Sequence, residues 1–263
     1  PSVGITVEEL QHTTQILLNC GADISEINTL RKHLERVKGG GLARYLYPAE
    51  VHAFVLSDVI GDRLDMIASG TTVPDPTTFS DAMVIIEKYQ LRQELPKAII
   101  THLENGLHGE IEETLKQGDP IFSRVHHHLV GTNIKACHAA KQKAESLGIP
   151  SLIISSHLIG DTRDVAQFMA GIIHSVRAHG KPLSPPCCLI FGGETTVTVN
   201  TKGKGGRNQD LALNMVKTMA DLPGVLFISL ATDGEDGPTD AAGAVVDHAI
   251  YQDGIMLHNF DIE

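Results

Sequence analysis

Three observations predict an α/β fold with a parallel sheet. From residue 125 onward, short apolar runs alternate with helical patterns: strand 125–130, a helix closed by Gly148, strand 151–156, a helix closed by Gly180, then strand 187–191. Such alternation calls for right-handed crossovers between parallel strands. Glycine- and acid-rich loops follow apolar runs, where open α/β sheets bind ligands. The totals are globular: 263 residues, 42% hydrophobic and 20% charged, enough for one large core or two modest ones.

Each element has a local reason. Thr6 with Glu9 three residues later is a capping box that opens a helix, and Gly21 ends it. Ser25 is placed to cap a second helix whose apolar stripe is Ile27, Leu30, Leu34 and Val37, stopped by Gly39-Gly40-Gly41. On it Arg31 and Lys38 stand close to two turns apart and share a face. Ala53-Phe54-Val55-Leu56 reads as a buried strand running into Ser57-Asp58-Val59-Ile60-Gly61-Asp62. The middle is helical over about 80–89 and again from Pro96 to Gly106. The linker Lys181-Pro182-Leu183-Ser184-Pro185-Pro186 is the best domain boundary, dividing 1–182 from 187–263.

Charge and motif content narrow the function. A net charge of −11 argues against a nucleic-acid surface, which needs a basic face. It makes local basic clusters informative: Arg31, Lys32, Arg36 and Lys38 form one, and Lys202, Lys204 and Arg207 another. No apolar run is long enough to span a bilayer and no signal-peptide pattern opens the chain. Cys20, Cys137, Cys187 and Cys188 lack metal-ligand spacing, which points to a reducing, cytoplasmic compartment. In His126-His127-His128, strand neighbours point to opposite faces, so the three cannot all ligate one ion. Neither Gly-x-Ser-x-Gly nor His-Glu-x-x-His is present, which removes the usual hydrolase machinery.

Two loops carry the chemistry. Residues 195–200 alternate as a strand, Lys202-Gly203-Lys204-Gly205-Gly206-Arg207-Asn208-Gln209 follows, and Leu211, Ala212, Met215, Val216 and Met219 then recur at helical spacing. Strand, glycine loop and helix in that order put free amides and cations where phosphate binds. The loop has neither the Walker ending nor dinucleotide spacing. Farther on, the apolar run 225–231 reads as a buried strand. After it comes Thr232-Asp233-Gly234-Glu235-Asp236-Gly237-Pro238-Thr239-Asp240-Ala241-Ala242-Gly243. Its carboxylates suit a divalent ion or a substrate hydroxyl.

Together these motifs resemble the glycerate 2-kinases. Gly192-Gly193-Glu194-Thr195-Thr196-Val197-Thr198-Val199, Gly203 to Gln209, and Thr232 to Gly243 are similar to that family's C-terminal signature. Glu26-Ile27-Asn28 with Arg31-Lys32, Lys38-Gly39-Gly40-Gly41-Leu42-Ala43, Ser57 to Asp62, and Ile67-Ala68-Ser69-Gly70 are similar to its larger domain. Thr71 stands where the family usually has Pro, and Asp210 where it has Glu. The family's opening Ser-Gly-Gly-Gly-Ser loop, an earlier lysine and the closing Thr-Gly-x-Thr-Asn-Val segment are absent, so the chain is expected to be an internal portion.

The resemblance implies two unequal α/β domains, the larger with a mainly parallel sheet flanked by helices, and an active-site cleft between them. It implies ATP-dependent phosphorylation of D-glycerate at the 2-hydroxyl, with ATP and Mg²⁺ as cofactors and a homodimer left open. Arg207 is expected to neutralise the transferred phosphoryl group, with an ion pair to an acidic residue as the alternative. Asp233 and Asp236 are expected at Mg²⁺, or in plain Asp-Gly turns. Asp58, at a strand end, is the candidate base, and Asp62 is more of a turn residue. Arg31 and Lys38 are candidates for the glycerate carboxylate. Glu194 is expected as a buried, ligand-facing carboxylate, or else in a cap or ion pair. Gly192, Gly193, Lys204, Gly205, Gly206 and Asn208 complete the expected nucleotide and substrate contacts. The family has also been labelled hydroxypyruvate reductase; a small 2-hydroxy-acid oxidoreductase and a non-catalytic nucleotide- or anion-binding fragment are the alternatives.

Overall fold

The computed structural model describes residues 1–198 and 203–256. The fold is mixed α/β in two compact units, Pro1–Thr132 and Asn133–Glu263. The first holds helices α1 (Val7–Asn19), α2 (Ile24–Leu34), α3 (Gly41–Leu46), α4 (Phe79–Lys88) and α5 (Lys97–Leu107), with strands β1 (Val51–Leu56) and β2 (Val125–Gly131). α1 opens at the Thr6–Glu9 capping box that the sequence predicts. α2 is capped two residues earlier than expected. Asp23, not Ser25, accepts the Glu26 amide at 2.9 Å, and Glu26 reaches back to the Asp23 amide at 3.0 Å.

α2 stops at Leu34, so Lys38 lies in the following turn and shares no helix face with Arg31. Three members of its apolar stripe, Ile27, Leu30 and Leu34, pack with Leu17 of α1, Phe79, Ala82 and Ile86 of α4, and Ile99 and Leu103 of α5, whereas Val37 lies past the helix and is exposed. That helical cluster is the core of the unit. β1 and β2 pair in parallel from Val51↔Val125 to Val55↔Leu129, with a shift before Leu56↔Gly131. β1 is not buried as expected, since Phe54 and Leu56 are 72% and 73% exposed. The histidine run alternates as a strand must. His126 and His128 face outward beside His52, while His127 turns to Thr72 at 3.0 Å. Among the described residues no group of three His, Cys, Asp or Glu side chains could hold a metal.

The second unit holds α6 (Asn133–Ser146), β3 (Ser151–Asp161), α7 (Thr162–His179), β4 (Cys188–Thr196), α8 (Arg207–Met219), β5 (Leu226–Leu230), β6 (Gly243–Asp247) and α9 (His248–Met256). β3 and β4 are parallel, from Ser151↔Cys188 to Asp161↔Thr196. The Lys181–Pro186 linker joins α7 to β4 and therefore runs inside this unit. Gly192 to Thr196 complete β4 rather than starting a separate strand at Thr195, and Val199 and Asn200 lie outside the described residues. β5 and β6 form an antiparallel pair, Leu226↔Asp247 to Leu230↔Gly243, joined by the acidic loop. The core lies between α7 and α8, where Val165, Ala166 and Met169 meet Leu211, Ala212, Met215 and Met219, with Val246 of β6 against them. β5 is only half buried: Leu226 and Leu230 face solvent and Ser229 faces inward.

A buried charge cluster fixes the first unit's loops. Lys32, a member of the first basic cluster, is buried and pairs with buried Asp75 at 3.1 Å. Asp75 also accepts the Thr77 amide and hydroxyl at 2.9 and 2.7 Å and the Thr114 hydroxyl at 3.0 Å. Beside it, His33 places Nδ1 2.8 Å from the Thr29 carbonyl and Nε2 3.0 Å from Glu113. Burial pushes the Glu113 carboxyl up, but the His33 contact and the Phe79 and Thr114 amides outweigh it and hold it down to about 2.

Two predictions follow from that cluster. Asp75→Leu leaves the buried Lys32 ammonium with only Asp65, at 3.9 Å, and should cost about 3–5 kcal/mol in urea unfolding, much of it recovered in Lys32→Met/Asp75→Leu. A single-variant loss under about 1 kcal/mol would contradict the pairing. Glu113 has its folded pKa depressed from an ordinary 4.5 to about 2. Its stabilisation is therefore complete above 4.5 and disappears as pH falls towards 2. Glu113→Gln should flatten the fall of Tm across that window in a thermal-melt series, whereas an unchanged acid limb would reject the assignment.

Candidate functional site

The two loops singled out from the sequence meet in the second unit. The acidic connection between β5 and β6 folds onto the first turn of α8, and Asp236 is the contact. Its Oδ1 accepts the Asn208 amide at 3.0 Å and the Asn208 side chain at 3.1 Å. Its Oδ2 accepts the Gln209 amide at 2.8 Å and the Gln209 side chain at 3.1 Å. The residue is 1% exposed. Burial pushes its carboxyl up, but these amides and side chains prevail and leave it below the usual carboxylate range.

Glycines make that approach feasible. A Cβ on Gly206 would overlap the Asp236 carboxyl, and one on Gly237, at φ +62°, would strike the Gly205 carbonyl. Thr239 completes the clamp, accepting the Gln209 side chain at 2.9 Å and donating to the Asp236 carbonyl at 2.8 Å. Gln209 and Thr239 were not singled out for a role by the sequence, although both lie inside the quoted motifs. The expectation that α8 offers free amides to a phosphate is corrected here. Its second and third amides are already taken by an internal anion.

The remaining expected residues divide by how firmly they are held. Arg207 opens α8 and donates to Glu194 of β4. Both side chains are about half exposed, so Glu194 is an ion-pair residue and not the buried carboxylate expected. An exposed pair of this kind contributes about 0–1 kcal/mol. Asp233 is exposed, and its Oδ1 accepts the Glu235 amide at 3.1 Å, as in an Asp turn. Asn208 is committed internally, since it also accepts the Ser229 hydroxyl at 2.8 Å. Lys204 and Gly205 are exposed, and Lys202 lies outside the described residues. Gly192 abuts Asn133 and Cys137 of α6, and Gly193 lies over the Leu158 backbone. A side chain at either position would meet the protein, while Gly193 itself is exposed.

The first unit carries the other group. The turn after α2 is laced to the 69–71 segment: the Gly39 amide meets the Ser69 carbonyl at 3.1 Å, Gly40 meets Gly70 at 2.8 Å and Leu42 meets Thr71 at 3.1 Å. Lys38 sits on that turn, 3.2 Å from Glu35 and 3.4 Å from the Ser69 hydroxyl, which itself donates to Asn28 at 2.9 Å. Ser69 and Ala68 hold positive φ, 57° and 50°, a strained arrangement often found at functional sites. Arg31 lies half-buried in the last turn of α2. Asp58 is exposed just past the final β1–β2 hydrogen bond, which the Ser57 amide gives to the Gly131 carbonyl at 2.9 Å. Asp62 occupies a turn at φ 54°.

Comparisons with known proteins bear on what these groups do. Residues 1–104 match a domain of unknown function, DUF4147, and residues 187–260 match the MOFRL family. The chain is 45% identical over 253 residues to the glycerate 2-kinase of Pyrococcus horikoshii, covering 96% of this chain and 56% of that protein. It is 45% identical over 249 residues to the D-glycerate 2-kinase of Thermotoga maritima, covering 94% and 56%. The glycerate kinase of Macaca fascicularis is 35% identical over 286 residues, covering 94% and 71%. The crystal structure of the Thermotoga maritima glycerate kinase superposes with a TM-score of 0.87 at 43% identity, over 98% of this chain and 59% of that one. The chain thus spans just over half the length of the first two relatives, at 56% of each.

Proposed function

The chain belongs to the glycerate 2-kinase family, and from that premise we propose that it serves ATP-dependent phosphorylation of D-glycerate at the 2-hydroxyl, giving 2-phosphoglycerate and ADP. The observation that carries this reading is the docking of the acidic loop on the first turn of α8, which places Arg207 and Asp233 on adjoining segments. The relatives' names are those of kinases, which favours this reading over the oxidoreductase alternative.

Phosphoryl transfer needs positioning and charge neutralisation more than covalent chemistry. Arg207 turns its planar guanidinium from Glu194 to the transferred phosphoryl group, where two parallel hydrogen bonds are available. Lys204 adds a second cation on the same exposed loop. Within the first unit, we assign Lys38 and Arg31 to the glycerate carboxylate and Asp58 to the role of base for its hydroxyl.

The donor set fits Mg²⁺. The exposed loop carboxylates are hard oxygen ligands, and Mg²⁺ is usually bound by one or two protein carboxylates, with nucleotide phosphates and water completing its shell. Asp233 is the residue that would hold it, and when bound the ion would neutralise charge on the phosphate oxygens. The free cysteines and the lack, among the described residues, of a helix long and apolar enough to cross a membrane accord with a cytoplasmic site of action.

Two measurements test the reading. Phosphorus NMR of the reaction with ATP and D-glycerate should show 2-phosphoglycerate as the primary product; 3-phosphoglycerate would reject the claim. Asp233→Asn should lower turnover by about two orders of magnitude, as for a lost electrostatic contact. Tm should barely move, because the side chain is exposed. Undiminished turnover at saturating Mg²⁺ would remove Asp233 from the site.

A further inference from the structure

We propose that Asp236 is a positioning residue and not a metal ligand: its carboxylate is a built-in anion that occupies the phosphate place at the start of α8 and thereby sets the reach of Arg207. The catalytic part of this inference rests on the kinase reading above. The structural part stands on its own.

The first argument is capacity. A carboxylate offers about four acceptor positions. Asp236 receives two donors on each oxygen, all within 3.1 Å. With the residue 1% exposed, a cation could reach it only by breaking charge-assisted hydrogen bonds. Asp233, three residues earlier, makes a single turn contact and faces solvent. The two Asp-Gly pairs of one loop therefore have opposite duties.

The second argument concerns α8. Its N-cap, Gly206, supplies no side-chain cap, yet the first-turn amides of a helix need acceptors. Asp236 supplies them from across the loop, at the second and third positions, and its negative charge balances the positive end of the helix dipole. A nucleotide phosphate would otherwise occupy that same place. The phosphates are consequently gripped by side chains, chiefly Arg207 at the first helical position, and α8 gives them no amide cradle. Because Arg207 precedes the two clamped residues directly, the clamp fixes where its backbone starts.

Three readouts on the whole chain test this. In hydrogen exchange, Asp236→Ala should expose the Asn208 and Gln209 amides on the order of a hundredfold, while amides near Met215 stay protected. In steady-state kinetics, Asp236→Asn should lower kcat about tenfold or more. The Mg²⁺ concentration for half-maximal rate should not change, although Asp233→Asn raises it. Thr239→Val, a milder loosening of the same clamp, should lower kcat in the same direction and keeps the test open if the Asp236 variants fold poorly.

Unchanged exchange at Asn208 and Gln209 would overturn the positioning role. So would a raised Mg²⁺ requirement or recovery of rate by Mn²⁺ in Asp236→Asn, which would make Asp236 a ligand. If the wild-type chain does not phosphorylate D-glycerate, the kinase reading falls and the exchange result alone decides the place of Asp236.

Discussion

A carboxylate taken out of water must collect donors, because losing its hydration costs several kcal/mol that only close partners offset. Each unit is organised around one such group. Asp75, 1% exposed, draws Lys32 of α2, the amide and hydroxyl of Thr77 and the hydroxyl of Thr114 into one cluster. Asp236, equally buried, draws two consecutive residues at the start of α8. In both cases the carboxylate sits on irregular chain and its donors include a helix. A loop conformation that loses a donor leaves a stranded charge, so these loops are rigid without secondary structure of their own.

The exposed charges behave in the opposite way. Arg207 with Glu194 is a half-exposed pair, and such pairs are weak. A ligand phosphate can replace Glu194 at little cost, whereas nothing of ordinary affinity replaces Lys32 at Asp75. Firm anchors hold the backbone, and, under the kinase reading, an exchangeable partner holds the charge assigned to the ligand. That division is what preorganisation requires: the groups arrive already placed, and only a weak contact has to be broken.

Much of this was legible in the sequence, because it depends on short-range rules. The Thr6–Glu9 capping box, the apolar stripes of α2 and α8, and the strand–helix alternation after residue 125 each follow from spacing within a few residues. So does the location of the glycine loop and the acidic loop. What stayed hidden was the destination of individual polar side chains. Asp233 and Asp236 both precede glycine in one loop, and Lys32 and Lys38 stand in one basic run. Local pattern treats each pair alike. Their fates are decided by partners far along the chain, 43 residues between Lys32 and Asp75 and 28 between Asn208 and Asp236. The half-exposed β1 and β5 were misread for a related reason. An apolar run sets strand propensity, but whether a face is covered depends on what packs there.

The acidic loop poses an electrostatic problem that its geometry resolves. Asp233, Glu235, Asp236 and Asp240 gather near the place where the kinase reading brings a polyanion, and uncompensated they would repel it. Asp236 is removed from the account, since its charge is balanced by the α8 dipole and by four donors. The outward carboxylates remain, and they become favourable once a divalent cation lies between them and the phosphates. Neutralising the helix dipole also leaves α8 little pull on phosphate, so the positive charge must come from side chains. Arg207 is the group so placed, at the first residue of the helix and held only by an exposed partner. Under the kinase reading, the acidic loop therefore binds nucleotide through a cation and its neighbour loop binds it through arginine, and neither arrangement works if Asp236 leaves the helix.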